Sequence, residues 1–157
     1  NYRKIARGVV KPFLILVFLV LAILASGSLY RPYPGEVKNI MVGPERFKVR
    51  VADTPAERSS GLSGLSQLDG YEGMLFIFER KTPAVFWNRN MLLDLEVLWI
   101  SDGAVVGLDF LPRDSSAGLK LLSSPGEIEM VLELPYEGRA RRGLAVGALV
   151  SFEAELE

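Results

Sequence analysis

The pattern of apolar and polar positions separates a long apolar run near the N-terminus from a series of short strand-like segments. Residues 13–25 are all apolar, and Leu29 and Tyr30 extend the tolerated span to residues 13–30. At about 1.5 Å per residue this span makes about 27 Å of helix, close to the roughly 30 Å of a bilayer's hydrocarbon core. The pattern therefore predicts a transmembrane helix within residues 12–30.

Positive charges precede the apolar run and predict its orientation. The first eleven residues contain four basic side chains and no acidic one. Because basic segments stay on the cytoplasmic side, residues 1–11 are expected in the cytoplasm and the rest of the chain outside it. A cleaved signal peptide begins in the same way, with residues 25–27 as its cleavage site, and the protein would then be secreted. The span length favours the uncleaved, single-pass anchor.

After the membrane segment, the pattern predicts a linker and one domain. Residues 31–44 contain Pro32, Pro34, Gly35 and Gly43, which are typical of a linker, and residues 45–157 are predicted to form the domain. Short segments with alternating or continuous apolar residues predict about seven strands. These segments are 47–51, 74–78, 84–87, 95–100, 104–111, 128–134 and 149–156.

Turn and capping residues complete the predicted fold. Thr54 and Glu57 flank Pro55 in a capping-box arrangement, so a short helix is expected to begin at Pro55 and to end at Gly61 or Gly64. Residues 101–103 predict a hairpin turn, residues 112–126 a loop, and residues 136–142 one or two helical turns. We find no alternation of strands and helices. The expected fold is mainly β, a compact antiparallel β-sandwich or a partly closed barrel with one or two short helices.

Composition restricts the chemistry. The chain has no Cys and no His, which excludes a thiol nucleophile, an imidazole base, a disulfide and the usual zinc sites. The net charge is −1 over the whole chain and −5 over residues 12–157. Since nucleic-acid affinity is built from clustered basic residues, no nucleic-acid partner is expected. No cofactor is expected either.

Five short motifs in order make the chain resemble the DUF192 family. They are residues 51–62, 73–78, 86–91, 131–134 and 143–147. The resemblance covers residues 45–155 and implies a small, mainly β, exported domain of unestablished function, with no catalytic residues to carry over. This chain has Asn88, Arg89, Asp94 and Glu96 where the family pattern commonly has Met, Lys, Pro and Asp.

The stretch 86–100 is the first candidate site, because it places polar side chains among apolar ones. The prediction is a shallow pocket for a sugar or a polar peptide, in which one tryptophan offers a flat apolar face and polar side chains supply hydrogen bonds. The tryptophan is Trp87 or Trp99, and the polar side chains are Asn90, Arg89 and the carboxylate of Glu96 or Asp94. In the alternative, the tryptophans are core residues, Arg89 pairs with Glu96 or Asp94, and Asn90 caps a turn.

Arg58 is the second candidate, on the short helix. It is expected either to receive an anion in a site or to form a buried ion pair with Glu72 or Glu96.

Three functions remain open at this point. The first is a membrane-anchored, extracytoplasmic, non-catalytic module that binds an envelope glycan, another envelope component or a partner protein. The second is a hydrolase of envelope polysaccharide that uses a carboxylate pair such as Glu72 and Glu96. The third is a structural partner of a membrane complex. A Ca²⁺ site built from Asp94, Glu96 and Asp109 has weaker support, because the dense acidic loop of calcium sites is missing.

Overall fold

The computed structural model describes residues 35–137 and 144–153. The predicted basic segment and membrane helix, most of the predicted helical turns at 136–142 and the end of the predicted last strand lie outside these residues. Within the described ranges, neither helix has the length and apolar sequence that a membrane crossing requires.

Nine strands and two short helices make up the described part of the chain. The strands are β1 (Val37–Val42), β2 (Glu45–Ala52), β3 (Gly73–Thr82), β4 (Val85–Trp87), β5 (Leu95–Ser101), β6 (Ala104–Leu111), β7 (Leu121–Ser123), β8 (Ile128–Pro135) and β9 (Val150–Phe152). The helices are α1 (Pro55–Ser60) and α2 (Asp114–Ala117).

Seven strands form one sheet in the order β6-β5-β8-β3-β2-β1-β9, and β4 pairs with β7 in a separate two-stranded ribbon. The large sheet curls strongly into a half-barrel. Its curl brings the segment before β9 to the start of β6, where Ala104 bridges Leu149 and the Val105 amide donates to the Ala148 carbonyl at 2.9 Å. The prediction of a mainly β fold is therefore confirmed, and the sheet has the half-barrel form.

One pair of strands corrects the expectation of an antiparallel fold without a strand-helix-strand unit. β2 and β3 are parallel, with Val49 opposite Gly73 and Ala52 opposite Phe76. Parallel neighbours need a crossover connection, and residues 53–72 supply one that contains α1. Because α1 has only six residues, the sequence pattern did not identify it as the helix of a crossover.

The predicted linker is too long at its C-terminal end. Val37–Val42 forms β1, which pairs with β2 on one side and with β9 on the other. Ile40 and Val42 are fully buried, so this segment belongs to the core of the domain. A proline and a glycine lie on each side of this segment, which is why the composition of residues 31–44 resembles a linker.

Two hydrophobic clusters cover the two faces of the large sheet. Strand residues alternate between faces, so neighbours on β8 such as Val131 and Leu132 join different clusters. We call one face the cavity face; its cluster includes Phe76, Val97, Trp99 and Val131. The opposite face is covered by the cluster that includes Ile40, Phe47, Leu98 and Leu132. The connections that pack on the cavity face build the candidate site.

Candidate functional site

A cavity of about 430 Å³ opens over the cavity face of the sheet. One wall is α1 with the loop that follows it, and the other is the segment from Thr82 to Trp87. Most of the lining is apolar and includes Leu62, Phe76, Phe78, Phe86, Trp87 and Met91. A concave, mainly apolar space of this volume is typical of sites for small molecules or single side chains.

Aromatic packing holds the floor and the β4 wall in place. The Phe86 ring meets the Phe76 ring edge-to-face, with centroids 4.9 Å apart, and meets the Trp99 ring edge-to-face at 5.6 Å. Phe76 and Trp99 are core residues on β3 and β5. Such pairs favour one relative orientation of the rings, so β4 is fixed against the sheet where it forms the wall of the cavity.

Glu133 places a buried carboxyl group at the cavity. It lies on β8 between Met74 of β3 and Val97 of β5, and only 2% of the residue is exposed. Its Oε2 atom has no hydrogen-bond partner among the described residues. Burial raises the pKa of Glu133 from its ordinary 4.5 to about 8. The group is therefore mostly protonated at neutral pH and can donate a hydrogen bond.

Arg58 places a fixed positive charge at the cavity. A capping box formed by Thr54 and Glu57 begins α1, as the sequence predicts. Nη1 of Arg58 donates to the carbonyls of Asp53 and Ile77, the second at 2.9 Å, and the guanidinium lies 5.4 Å from the Phe78 ring centroid. These contacts orient the guanidinium without neutralising it.

The two tryptophans have different roles. Trp87 on β4 lines the cavity and is 46% exposed. Trp99 is fully buried, and its Nε1 donates to Oδ2 of Asp109 at 2.7 Å. Gly107 lies opposite Trp99 on β6, where an added Cβ would be only 3.0 Å from the indole Cδ1. Trp99 is thus a core residue, and Trp87 is the tryptophan that a ligand can reach.

Asn90 and Arg89 do not line the cavity. Both are exposed, and Asn90 has a left-handed backbone with a φ of 57°. The backbone N–H of Asn90 donates to Oδ2 of Asp114 at 3.1 Å, and its backbone carbonyl accepts from the backbone N–H of Gly64 at 2.8 Å. The Arg89 carbonyl accepts from the Ser63 hydroxyl at 3.1 Å. These two residues form the turn after β4 and join it to the loop after α1.

Glu96 does not line the cavity either. Its neighbours Leu95 and Val97 both belong to the cluster on the cavity face, so alternation along β5 directs Glu96 to the opposite face of the sheet. Of the five predicted site residues, the structure therefore brings Trp87 and Arg58 together at the cavity and leaves Asn90, Arg89 and Glu96 elsewhere.

The predicted ion pairs are replaced by other contacts. Asp94 pairs with Arg113 at 2.8 Å, not with Arg89, and the hydrogen bonds from Arg113 hold the pKa of Asp94 below its ordinary value. Glu72 accepts from the Lys48 amide at 2.9 Å, while Arg58 donates to backbone carbonyls. These partners come from segments distant in the chain, which charge patterns in the sequence do not identify.

The acids of the weaker calcium hypothesis are also separated. Asp94 contacts Arg113, Asp109 contacts Trp99, and Glu96 lies on the opposite face. Within the described ranges, no three acidic side chains are grouped closely enough to hold a metal ion.

Sequence reasoning missed Asn88 as a positioning residue. Asn88 is fully buried; its Nδ2 donates to the carbonyls of Pro112 and Gly118 at 2.9 and 2.8 Å, and its Oδ1 accepts from the Lys120 amide at 2.8 Å. These bonds tie the loop before β7 to the end of β4, beside Trp87. The only signal in the sequence was the departure of Asn88 from the family pattern.

Sequence reasoning also missed Glu133 as a site residue. The sequence feature that could have identified it is the position of its carboxylate within the apolar run Val131–Leu134. The alternating pattern of residues 128–134 favours a half-buried strand with its glutamates in solvent, whereas β8 is central in the sheet and is covered on both faces.

A curled half-barrel with a lined cavity on one face defines a small, mainly β domain with a candidate ligand site. The chain belongs to the DUF192 family, described as "Uncharacterized ACR", whose model matches residues 37–152. The resemblance inferred from the motifs is therefore confirmed, and the matched region begins with β1 and ends with β9.

Two solved structures are similar over most of the chain. One is a putative transcription regulator from Sinorhizobium meliloti, with 25% identity, a TM-score of 0.66, and coverage of 75% of this chain and 95% of that one. The other is a protein of unknown function from Novosphingobium aromaticivorans, with 25% identity, a TM-score of 0.68, and coverage of 79% and 91%. No curated protein matches the chain.

Proposed function

We propose that this domain is a non-catalytic binding module for an envelope component or a partner protein, and that the cavity receives an apolar group of that ligand. The observation that carries the proposal is the cavity itself, with the exposed Trp87 in one wall and the buried Glu133 among its lining residues. Trp87 is half exposed beside an apolar cavity, so an apolar group that covers its ring removes apolar surface from water and binds favourably.

The lining favours binding over hydrolysis. Glycoside hydrolysis ordinarily needs two carboxyl groups about 5 to 9.5 Å apart, one on each side of the scissile bond. Among the described residues that line the cavity, Glu133 is the single acid. A lone protonated carboxyl group can position a ligand oxygen, but it cannot also supply the second carboxylate.

The similar protein from Sinorhizobium meliloti is named for a role in transcription. We do not extend this role to the present chain. Residues 12–157 carry a net charge of −5, and the cavity is lined mainly by apolar side chains. Both features suit an apolar ligand better than a phosphate backbone.

Replacement of Trp87 tests the binding proposal. We expect the uncharged fluorescent probe N-phenyl-1-naphthylamine to bind the full-length protein, and Trp87→Ala to weaken its affinity about tenfold through loss of aromatic contact area. Fluorescence titration measures the dissociation constants.

The matched control is Leu121→Ala. Leu121 lies opposite Trp87 in the β4–β7 ribbon and is 60% exposed, but it is not among the residues that line the cavity. This variant should bind the probe like the wild type. Equal affinity in all three proteins, or an equal loss in both variants, would contradict binding at the cavity.

We also propose that the N-terminal segment anchors the domain at a membrane, with the domain outside the cytoplasm. The support is the order of four basic residues followed by the apolar span 13–30. N-terminal sequencing of membrane-bound protein should give an uncleaved chain. A mature chain starting near Ser28 would refute the anchor but keep export, and protein found only in the cytosolic fraction would refute both.

A further inference from the structure

We infer that the cavity selects a small apolar molecule that carries an anionic group such as a carboxylate, with the anion at Arg58 and the apolar body against the aromatic wall. This inference rests on the proposed binding function and specifies the charge of the ligand. It uses three structural features: the fixed guanidinium, the buried carboxyl group and the aromatic lining of the same cavity.

Arg58 has the donors that an anion needs. A guanidinium carries five N–H groups, and the hydrogen bonds of Arg58 to described residues all start from Nη1. Among the ion pairs of the described residues, none includes Arg58. Its Nε and Nη2 groups therefore remain for charge-assisted hydrogen bonds, which are stronger than neutral ones.

Two serines at the same wall do not compete for this role. The Ser60 hydroxyl donates to the Ala56 carbonyl at 3.0 Å, and the Ser63 hydroxyl donates to the Arg89 carbonyl at 3.1 Å. Since each hydroxyl has one proton, neither of these two serines has a proton left for a ligand. Ser59, the third serine of this wall, is exposed and its hydroxyl is a neutral donor, so Arg58 is the charged donor on the α1 wall.

Glu133 completes the charge pattern of the cavity. With its pKa raised to about 8 by burial, it is mostly neutral at pH 7, so the ionised group among the described lining residues is Arg58. The neutral carboxyl group can donate a hydrogen bond to a ligand oxygen. An ammonium ligand would meet the repulsion of Arg58, and the protonated Glu133 would offer it no negative charge.

Other charged groups on the same face are engaged elsewhere. Pairing across neighbouring strands links Glu133 through Met74 to Arg50 on β2, and through Val97 to Asp109 on β6. Arg50 and Asp109 therefore each lie two strands away from Glu133. The Arg50 guanidinium lies 4.2 Å from the Tyr71 ring centroid, and Asp109 accepts from Trp99. Neither residue is among those that line the cavity.

Three ligands with one apolar body and different head groups test this inference: 4-phenylbutyrate, 4-phenyl-1-butanol and 4-phenylbutylamine. Isothermal titration calorimetry of the full-length protein in detergent at pH 7 measures their affinities. We expect the butyrate to bind at least about tenfold more tightly than the alcohol, and the amine to bind most weakly. The comparison uses the wild type and so does not depend on the folding of any variant.

Two variants identify the side chain that recognises the charge of the ligand. Arg58→Gln should remove the difference in affinity between the butyrate and the alcohol. Arg89→Gln, which removes an exposed arginine that does not line the cavity, should leave the order of the three ligands unchanged. Equal effects of the two substitutions would contradict the role of Arg58.

The pH dependence provides an independent check. Above pH 8, ionised Glu133 should repel the butyrate and lower its affinity, and Glu133→Gln should remove this fall. If the alcohol or the amine binds as tightly as the butyrate, or if affinity rises through pH 8, the anionic preference is wrong while cavity binding stands. If none of the three ligands binds, both the inference and the proposed binding function are wrong.

Discussion

At the scale of single residues, Glu133 determines the chemistry of the candidate site. A carboxylate without a partner in a buried position is costly, and the protein avoids this cost by keeping the group protonated. Because the cause is burial, the state of Glu133 depends on how much water reaches it. A ligand that fills the cavity excludes water and should therefore change the pKa of Glu133.

The raised pKa of Glu133 makes a prediction about stability. Between its unfolded value near 4.5 and its folded value of about 8, the native state binds the proton more strongly than the unfolded chain. The free energy of unfolding should therefore fall as pH rises from about 5 to 8, by at most about 5 kcal/mol, with no further loss from this group above pH 8. Urea denaturation of the full-length protein at each pH measures it.

Two glutamine variants separate this effect from other titrations. Glu133→Gln should remove the fall between pH 5 and 8, whereas Glu127→Gln, which changes an exposed residue just before β8, should keep it. The pKa values of Glu57 and Asp94 are lowered by their hydrogen bonds, so their contributions are lost only on the acid side. Parallel curves for wild type and Glu133→Gln would contradict the buried, protonated state.

At the scale of elements, local signals were predictable and distant pairings were not. Thr54 and Glu57 form the predicted capping box because all of its atoms lie within one turn. The predicted hairpin between β5 and β6 also forms, with Asp102 and Gly103 at positive φ. The parallel pairing of β2 with β3 depends instead on a crossover connection. Its only helix, α1, has six residues, which is too short for the sequence pattern to indicate a crossover.

The same distinction explains the candidate site. Trp87 was predicted because a large aromatic side chain next to polar ones is conspicuous in any fold, and Arg58 because it lies on the short helix that the capping box predicts. Glu96 was misplaced relative to the cavity because β5 is buried on both faces, so its apolar run does not show which side chains share a face. Glu133 was missed because β8 is central in the sheet and covered on both faces, and the alternation of residues 128–134 does not show that this glutamate is buried.

At the scale of the whole molecule, the described domain combines a rigid sheet with a site built by connections. The curled sheet brings β9 and the start of β6 together and supplies the residues beneath the cavity. The walls come from the crossover between β2 and β3 and from the segment around β4, which Asn88 ties to the loop before β7. Binding sites are commonly carried in this way by connections on a fixed scaffold.

The most direct test of an anion-selective cavity is an NMR titration of the Glu133 side-chain carboxyl carbon, with and without saturating 4-phenylbutyrate. We predict a midpoint near pH 8 in the free protein, because burial raises the pKa. With the ligand bound we predict a higher midpoint, since a nearby anion and the loss of water both disfavour ionisation. A free midpoint near 4.5, or a midpoint that the bound ligand leaves unchanged, would contradict an anion-selective cavity at Glu133.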